Sequence, residues 1–231
     1  MTTKVTVDTN WRARSWSFSA ISDYQECPLR YALSKFAKLE QPKGPALANG
    51  IALHEAMESF LGGPPDIPVP NSLAEFSAEL HNIKKLNPTI EEPICLDRFW
   101  RPVKGDDPWS NPETWLRGRL DVRVKSFVVD LKSGRSYPKY REQCELYATM
   151  MYASELPDLG DEITTELWYT KSGRVETHAF SRADHKSRLK KWDDAANRLM
   201  SEAAWKPKLN DACRFCHVQE HCEIISQRKR R

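Results

Sequence analysis

Two aspartates and a lysine in the run RGRLDVRVKSFVVDLKSG have the types and spacing to act on a phosphate: Asp121, Asp130 and Lys132. Polarity alternates in both halves of the run, as the two-residue period of a strand requires. If Lys125 and Ser126 form a two-residue turn, adding residue numbers across the hairpin sets Asp121 opposite Asp130. Facing carboxylates repel, and a divalent cation offsets that repulsion. Oxygen donors suit Mg²⁺ or Mn²⁺, which help generate hydroxide and stabilise charge on a phosphate under attack. Lys132, on the Asp130 face, adds a point charge that could position water, hold a phosphate oxygen or stabilise the transition state. The plainer reading is an exposed hairpin whose charged residues keep one face in water, and spacing alone does not choose.

A second constellation is made of thiols. Cys213, Cys216 and Cys222 form C-x2-C-x5-C, and the distant Cys27 supplies a fourth sulfur. Four thiolates hold either Zn²⁺ or a [4Fe-4S] cluster, and ligand count leaves both open.

These residues need elements to position them. The segment from Trp16 to Lys38 predicts two helices separated by Pro28, with serine caps at the start. A further helix is expected from about Ala46 to Leu61, ending at GGPPDIPVP, and it carries His54. A lone helical histidine is more often a surface or packed residue than a ligand. Glu91 and Glu92 precede another possible strand and read as solvated. WRPVKGDDPWSNPET is a loop, Tyr140 to Ser154 a helix, and ITTELWYT with RVETHAF a second hairpin around Lys171, Ser172 and Gly173. A last long helix, capped by Ser181, turns Leu189, Trp192, Ala196, Leu199 and Met200 toward a core.

The chain has 231 residues, 35 basic and 32 acidic, so its net charge of +3 does not itself name a polyanionic partner. No apolar run reaches the roughly 18 to 20 residues that span a bilayer, and no hydrophobic signal core opens the chain. We expect a single mixed α/β unit over residues 1–231, without repeats, in a reducing intracellular compartment.

RGRLDVRVKSFVVDLKSG resembles the core of the PD-(D/E)XK nucleases, especially the RecB-like and Cas4-like exonucleases. Asp130-Leu131-Lys132 supplies the D-x-K element, Gly118-Arg119-Leu120-Asp121 resembles the preceding metal-binding segment, and Gly50-Ile51-Ala52-Leu53-His54 the upstream histidine element. The resemblance implies a restriction-endonuclease-like core with a helical N-terminal region and iron-sulfur-stapled termini. It implies metal ligation by His54, Asp121, Asp130 and the Leu131 carbonyl, catalysis by Asp121, Asp130 and Lys132, and DNA or lysine positioning by Gln143 and Tyr147, a QxxxY element. Cys27-Pro28 and CRFCHVQEHC match the cysteine element, which implies a [4Fe-4S] cluster on Cys27, Cys213, Cys216 and Cys222 and leaves Cys95 and Cys144 as non-ligands.

The implied activity is hydrolysis of DNA phosphodiesters in Mg²⁺ or Mn²⁺, on single-stranded ends and in the 5′ to 3′ direction, for recombination, repair or end processing. Partner recombination or helicase proteins fit a chain without a motor domain, and the expected location is the cytoplasm, or the host's if a phage encodes it. Arg117, Arg119, Arg123, Lys125, Lys139 and Arg141 with Trp100, Trp109 and Trp115 are candidate DNA contacts, as is the tail Arg228, Lys229, Arg230 and Arg231. Two other classes stay open: a DNA-binding recombination scaffold with weak or absent catalysis, and a zinc-stabilised protein-interaction module.

Overall fold

The computed structural model describes residues 5–39, 41–42 and 44–228. In chain order these contain α1 (Phe18–Glu26), α2 (Pro28–Lys35), α3 (Pro45–Gly62), α4 (Ser77–Lys85), β1 (Thr89–Leu96), β2 (Leu116–Val124), β3 (Phe127–Lys132), α5 (Pro138–Ala153), β4 (Glu162–Tyr169), β5 (Arg174–Ser181), α6 (His185–Ser201) and α7 (Glu223–Arg228). The chain forms two compact units, one of residues 43–190 and one of residues 1–42 with 191–231.

The unit of residues 43–190 is built on a five-stranded sheet in the order β1-β2-β3-β4-β5. Its neighbours are antiparallel except β3 and β4, which run parallel. Parallel neighbours cannot be joined by a tight turn, so the chain crosses back over the sheet through α5. On the opposite face, α3 and α4 bury Met57, Phe60 and Leu80 against Val122, Val129 and Leu131. Phe76 stacks on Trp168 there, ring centres 4.6 Å apart.

Both faces are therefore covered. The exposed-hairpin reading of β2 and β3 is incorrect: Asp121, Arg123 and Asp130, on the polar face, are all buried. Distant segments meet them: Tyr147 of α5 lies on Asp130, His54 of α3 beside Asp121 and Glu92 of β1 on Arg123, and the α5 residues from Leu146 to Tyr152 are buried without interruption. The approach of α5 to β2 is close, because a side chain on Gly118 would overlap Met150 Cε and stand 2.8 Å from Met150 Sδ. The second hairpin turns where expected, with Gly173 at a φ of 64°, and β1 extends the sheet where the sequence offered only a possible strand.

In the other unit, the Ser17 side chain caps α1, and Pro28 opens α2 at the position where a missing N–H costs nothing. The two expected helices are thus separated at Pro28. Trp16 stacks on Trp192, ring centres 6.2 Å apart, and Leu29, Leu33, Val218 and Cys222 form an apolar cluster. Trp192, Ala196 and Leu199 of α6 are buried and Met200 is half-buried, as is Leu189, which belongs to the unit of residues 43–190. Ser181 caps the short 3-10 turn that leads into α6 rather than α6 itself. Lys229, Arg230 and Arg231 of the basic tail lie outside the described residues, and of Arg228 only the backbone is described. Among the described residues no helix is long and apolar enough to cross a membrane.

Candidate active site

Three carboxylates stand in a row across neighbouring strands. Ile90 pairs with Val122 and Glu92 with Leu120, so Glu91 on β1 lies across from Asp121 on β2. Val124 pairs with Phe127 and Val122 with Val129, so the next step sets Asp121 across from Asp130 on β3. The two-residue turn at Lys125 and Ser126 produces this register, and Lys125 takes the left-handed conformation there, φ 51°.

Glu91 also has a left-handed backbone, φ 50°. A non-glycine residue pays roughly 1 to 2 kcal/mol for that conformation, and such strain gathers at functional sites. His54 comes from α3, with Nδ1 3.3 Å from Asp121 Oδ2 and 3.7 Å from Glu91 Oε1. The ligand atoms of His54, Glu91 and Asp121 all lie within 4.8 Å of one another. Arg119 Nη1 reaches Glu91 Oε2 at 3.6 Å and its guanidinium covers Trp109, 5.1 Å from the ring centre. An open cleft of about 570 Å³ borders His54 and Glu91, lined also by Gly50, Glu55, Arg119 and Ser133.

Asp130 faces Lys132 and α5. The Lys132 ammonium meets Asp130 Oδ2 and donates to Gln143 Oε1 at 2.9 Å; Gln143 Nε2 donates to the Tyr147 hydroxyl at 2.6 Å; that hydroxyl donates to Asp130 Oδ1 at 3.0 Å. The four side chains close a ring. Gln143 and Tyr147 converge because residues four apart share a helix face. The Leu131 N–H ties the rows together by donating to Asp121 Oδ2 at 3.0 Å, while its side chain enters the core.

Burial, followed by the neighbouring Asp130 carboxylate, pushes the Asp121 carboxyl well above its usual range. Burial alone would depress the Lys132 ammonium, but Asp130 overrides it and the pKa rises. Burial and Asp130 also hold the Tyr147 hydroxyl in its protonated, donating form.

A divalent cation fits these donors. Burial and then the Asp130 carboxylate destabilise the charged form of Asp121, and a cation beside it offsets both. Asp130 Oδ2 is buried with no hydrogen-bond partner beyond the Lys132 contact. One imidazole nitrogen with several carboxylate oxygens suits Mn²⁺ or Mg²⁺.

His54, Asp121, Asp130, Leu131, Lys132, Gln143 and Tyr147 thus meet in one unit. Sequence reasoning set aside Glu91 and Glu92 as solvated, and the structure corrects both. Glu91 joins His54 and Asp121. Glu92 accepts from Arg123 Nε and Nη2 at 2.5 and 3.0 Å, a part-buried two-point pair. Arg123 is therefore committed to Glu92 and leaves the set of candidate DNA contacts. Lys125, Lys139 and Arg141 are exposed, Trp109 is 37% exposed, and Trp100 and Trp115 are buried.

The four cysteines of the second constellation all lie in the other unit. The Lys208 N–H points at Cys27 Sγ at 3.5 Å and the Asn210 N–H at Cys213 Sγ at 3.4 Å, while Cys27 and Cys216 pack against the apolar cluster of Leu29, Leu33, Val218 and Cys222. Burial raises the Cys216 pKa, and the thiols of Cys27 and Cys213 raise it further against Arg30. The thiols thus stand near one another, but among the described residues the one group of three or more metal-ligating side chains whose atoms lie within 4.8 Å of one another is His54, Glu91 and Asp121. Cys95 and Cys144 are buried in the sheet unit, and burial pushes the Cys144 thiol up to about 12.

Residues 15–223 match the PD-(D/E)XK nuclease superfamily. No curated protein matches the chain. Among solved structures, the crystal structure of SSO0001 is similar in fold, with a TM-score of 0.51 and 16% identity over 92% of this chain and 88% of that one.

Proposed function

We propose, from the premise that this chain belongs to the PD-(D/E)XK nuclease superfamily, that it is a divalent-metal-dependent deoxyribonuclease. The observation that carries this is the buried meeting of Asp121, Asp130 and Lys132 beside His54 and Glu91. Burying three ionisable groups together has a large desolvation cost that a structural role does not repay, and such groups gather where chemistry needs them.

His54, Asp121 and Asp130 hold the cation together with the Leu131 carbonyl, and Glu91 completes the set. Bound there, the cation supplies Lewis acidity that lowers the pKa of water and offsets charge developing on the phosphate. Lys132 adds its ammonium to the same developing charge. Gln143 and Tyr147 orient Asp130 and Lys132 through the hydrogen-bonded ring.

The substrate is DNA, with single-stranded ends attacked in the 5′ to 3′ direction, and the role is recombination, repair or end processing alongside recombination or helicase proteins in the cytoplasm. Cys27, Cys213, Cys216 and Cys222 carry a [4Fe-4S] cluster that staples the chain's two ends as part of one Cas4-like and RecB-like nuclease domain. Grouped thiols and N–H donors to sulfur support the cluster.

Labelled single-stranded DNA should be shortened from one end in Mg²⁺ or Mn²⁺, and EDTA, Asp130→Ala or Lys132→Ala should suppress cleavage. Direction is read with one end blocked. Folded, metal-loaded wild type that never cleaves DNA would refute the enzymatic assignment.

A further inference from the structure

A second groove opens beside Lys132, at the edge where the parallel strands β3 and β4 both end. Ligands of open α/β sheets commonly bind outside the carboxyl ends of parallel strands. Lys132 pairs with Tyr169, and the Thr170 N–H donates to the Lys132 carbonyl at 3.1 Å, so the loops leaving the two strands form facing walls. One wall is Gly134, Arg135 and Ser136; the other is Tyr169, Lys171 and Arg174; together they enclose about 320 Å³.

Glu176 fixes the walls to each other. Its carboxylate accepts from Ser136 Oγ at 2.7 Å and from the Tyr169 hydroxyl at 3.2 Å, and Arg174 Nη2 lies 2.8 Å from it. Glu75 is the other nearby carboxylate, beside Gly173. Arg135 and Lys171 are exposed and make no ion pair among the described residues. The next residue along the first wall, Tyr137, is 49% exposed. Its ring meets that of Tyr140 edge-on, centres 5.6 Å apart, and Lys132 Nζ sits 4.5 Å from the Tyr140 ring centre. A path therefore leads from the lysine over paired tyrosine rings along a cationic wall. Cations for phosphates and an open ring for an unstacked base are what a single strand requires.

We propose that this groove seats the DNA strand flanking the cleaved phosphate, with Arg135, Lys171 and Arg174 on backbone phosphates and Tyr137 stacked on a base. The proposal rests on the nuclease function for its ligand, and none of these four residues belongs to the catalytic cluster.

The test compares the full-length wild type with the triple variant R135S/K171S/R174S, with Y137A, and with a charge-matched control, K85S/K104S/K186S, altered at exposed lysines elsewhere on the same unit. Anisotropy of a fluorescein-labelled thymidine oligonucleotide, read in Ca²⁺ at several salt concentrations, gives affinity. Hydrolysis of bis(p-nitrophenyl) phosphate in Mn²⁺ reads the catalytic centre without the groove. The triple variant should weaken oligonucleotide binding about tenfold and reduce the salt slope by about 2, three contacts each releasing about 0.7 of a counterion from a single strand. Y137A should weaken binding about tenfold with the slope intact. Both should keep the wild-type rate on the small diester, and the control should bind like wild type. Unchanged affinity and slope in the triple variant, or equal weakening in the control, overturns the groove. Wild type that hydrolyses neither substrate removes the nuclease function instead, and the binding measurements still decide the groove.

Discussion

Tyr147 donates its hydroxyl to Asp130 Oδ1 at 3.0 Å while the Lys132 ammonium meets the other oxygen of the same carboxylate. Asp130 is thereby held at both oxygens, by a helix on one side and by its own strand on the other. Tyr147→Phe removes one hold without changing shape. Leaving the buried Oδ1 without its donor should cost about 1 to 3 kcal/mol of stability. The rate of DNA cleavage should fall about tenfold with KM little changed. Thermal unfolding and steady-state kinetics measure the two effects, and a variant with wild-type kcat would show that the ring does not position Asp130.

Asp121 makes the metal-free protein pH-sensitive. Burial and Asp130 raise its pKa in the fold, so the folded state holds the proton more tightly than the unfolded chain does. Its contribution to stability is complete below the unfolded value of about 3.9 and is lost as pH rises through the folded one. In EDTA at neutral pH, Asp121→Asn should therefore melt higher than wild type, and the gap should close as pH falls toward about 4. Mn²⁺ should raise the melting temperature of wild type and do little for the variant. A variant that melts lower in EDTA at neutral pH would contradict this.

Glu91 should matter through metal affinity. With its oxygens within reach of His54 and Asp121, Glu91→Gln removes a negative charge from the site and retains the side chain's shape. We expect the Mn²⁺ concentration for half-maximal cleavage to rise about 10- to 100-fold, the range typical of groups that tune a metal site. An unchanged metal titration would place Glu91 outside the ligand set.

Gly118 is a packing requirement. A Cβ there would stand 2.8 Å from Met150 Sδ, and Met150 is itself fully buried. Gly118→Val should destabilise the protein by about 1 to 3 kcal/mol through overpacking, read as a lower denaturant midpoint. A simultaneous Met150→Ala change should recover part of the loss. If G118V keeps the wild-type midpoint, α5 has freedom to move away from β2.

The cysteine constellation has a compositional test. Protein purified without oxygen should be brown and carry about four iron and four sulfide per chain. Cys27→Ser or Cys216→Ser should lower both together. Colourless wild type with one zinc and no sulfide, despite ample iron, would assign the thiols to zinc instead.

The sequence by itself determined whatever is written within a few turns of chain. The two-residue turn at Lys125 and Ser126 sets the register that brings Asp121 to Asp130, and strand periodicity puts Lys132 on the same face. Pro28 divides α1 from α2, and the four-residue interval turns Gln143 and Tyr147 to one side of α5. Only the tertiary structure decided what lies across the sheet and over it. Glu91 and Glu92 read as solvated because pairing β1 with β2 spans a loop of about twenty residues that no local pattern encodes. That pairing makes one glutamate a neighbour of His54 and the other the partner of Arg123, 31 residues away. Alternation along a strand says which residues share a face, but not whether water or a helix covers it. Here Tyr147 of α5, His54 of α3 and Glu92 of β1 meet Asp130, Asp121 and Arg123, so the charged face became a buried site, because side-chain environment is set by packing between distant segments and not by the period of any one of them.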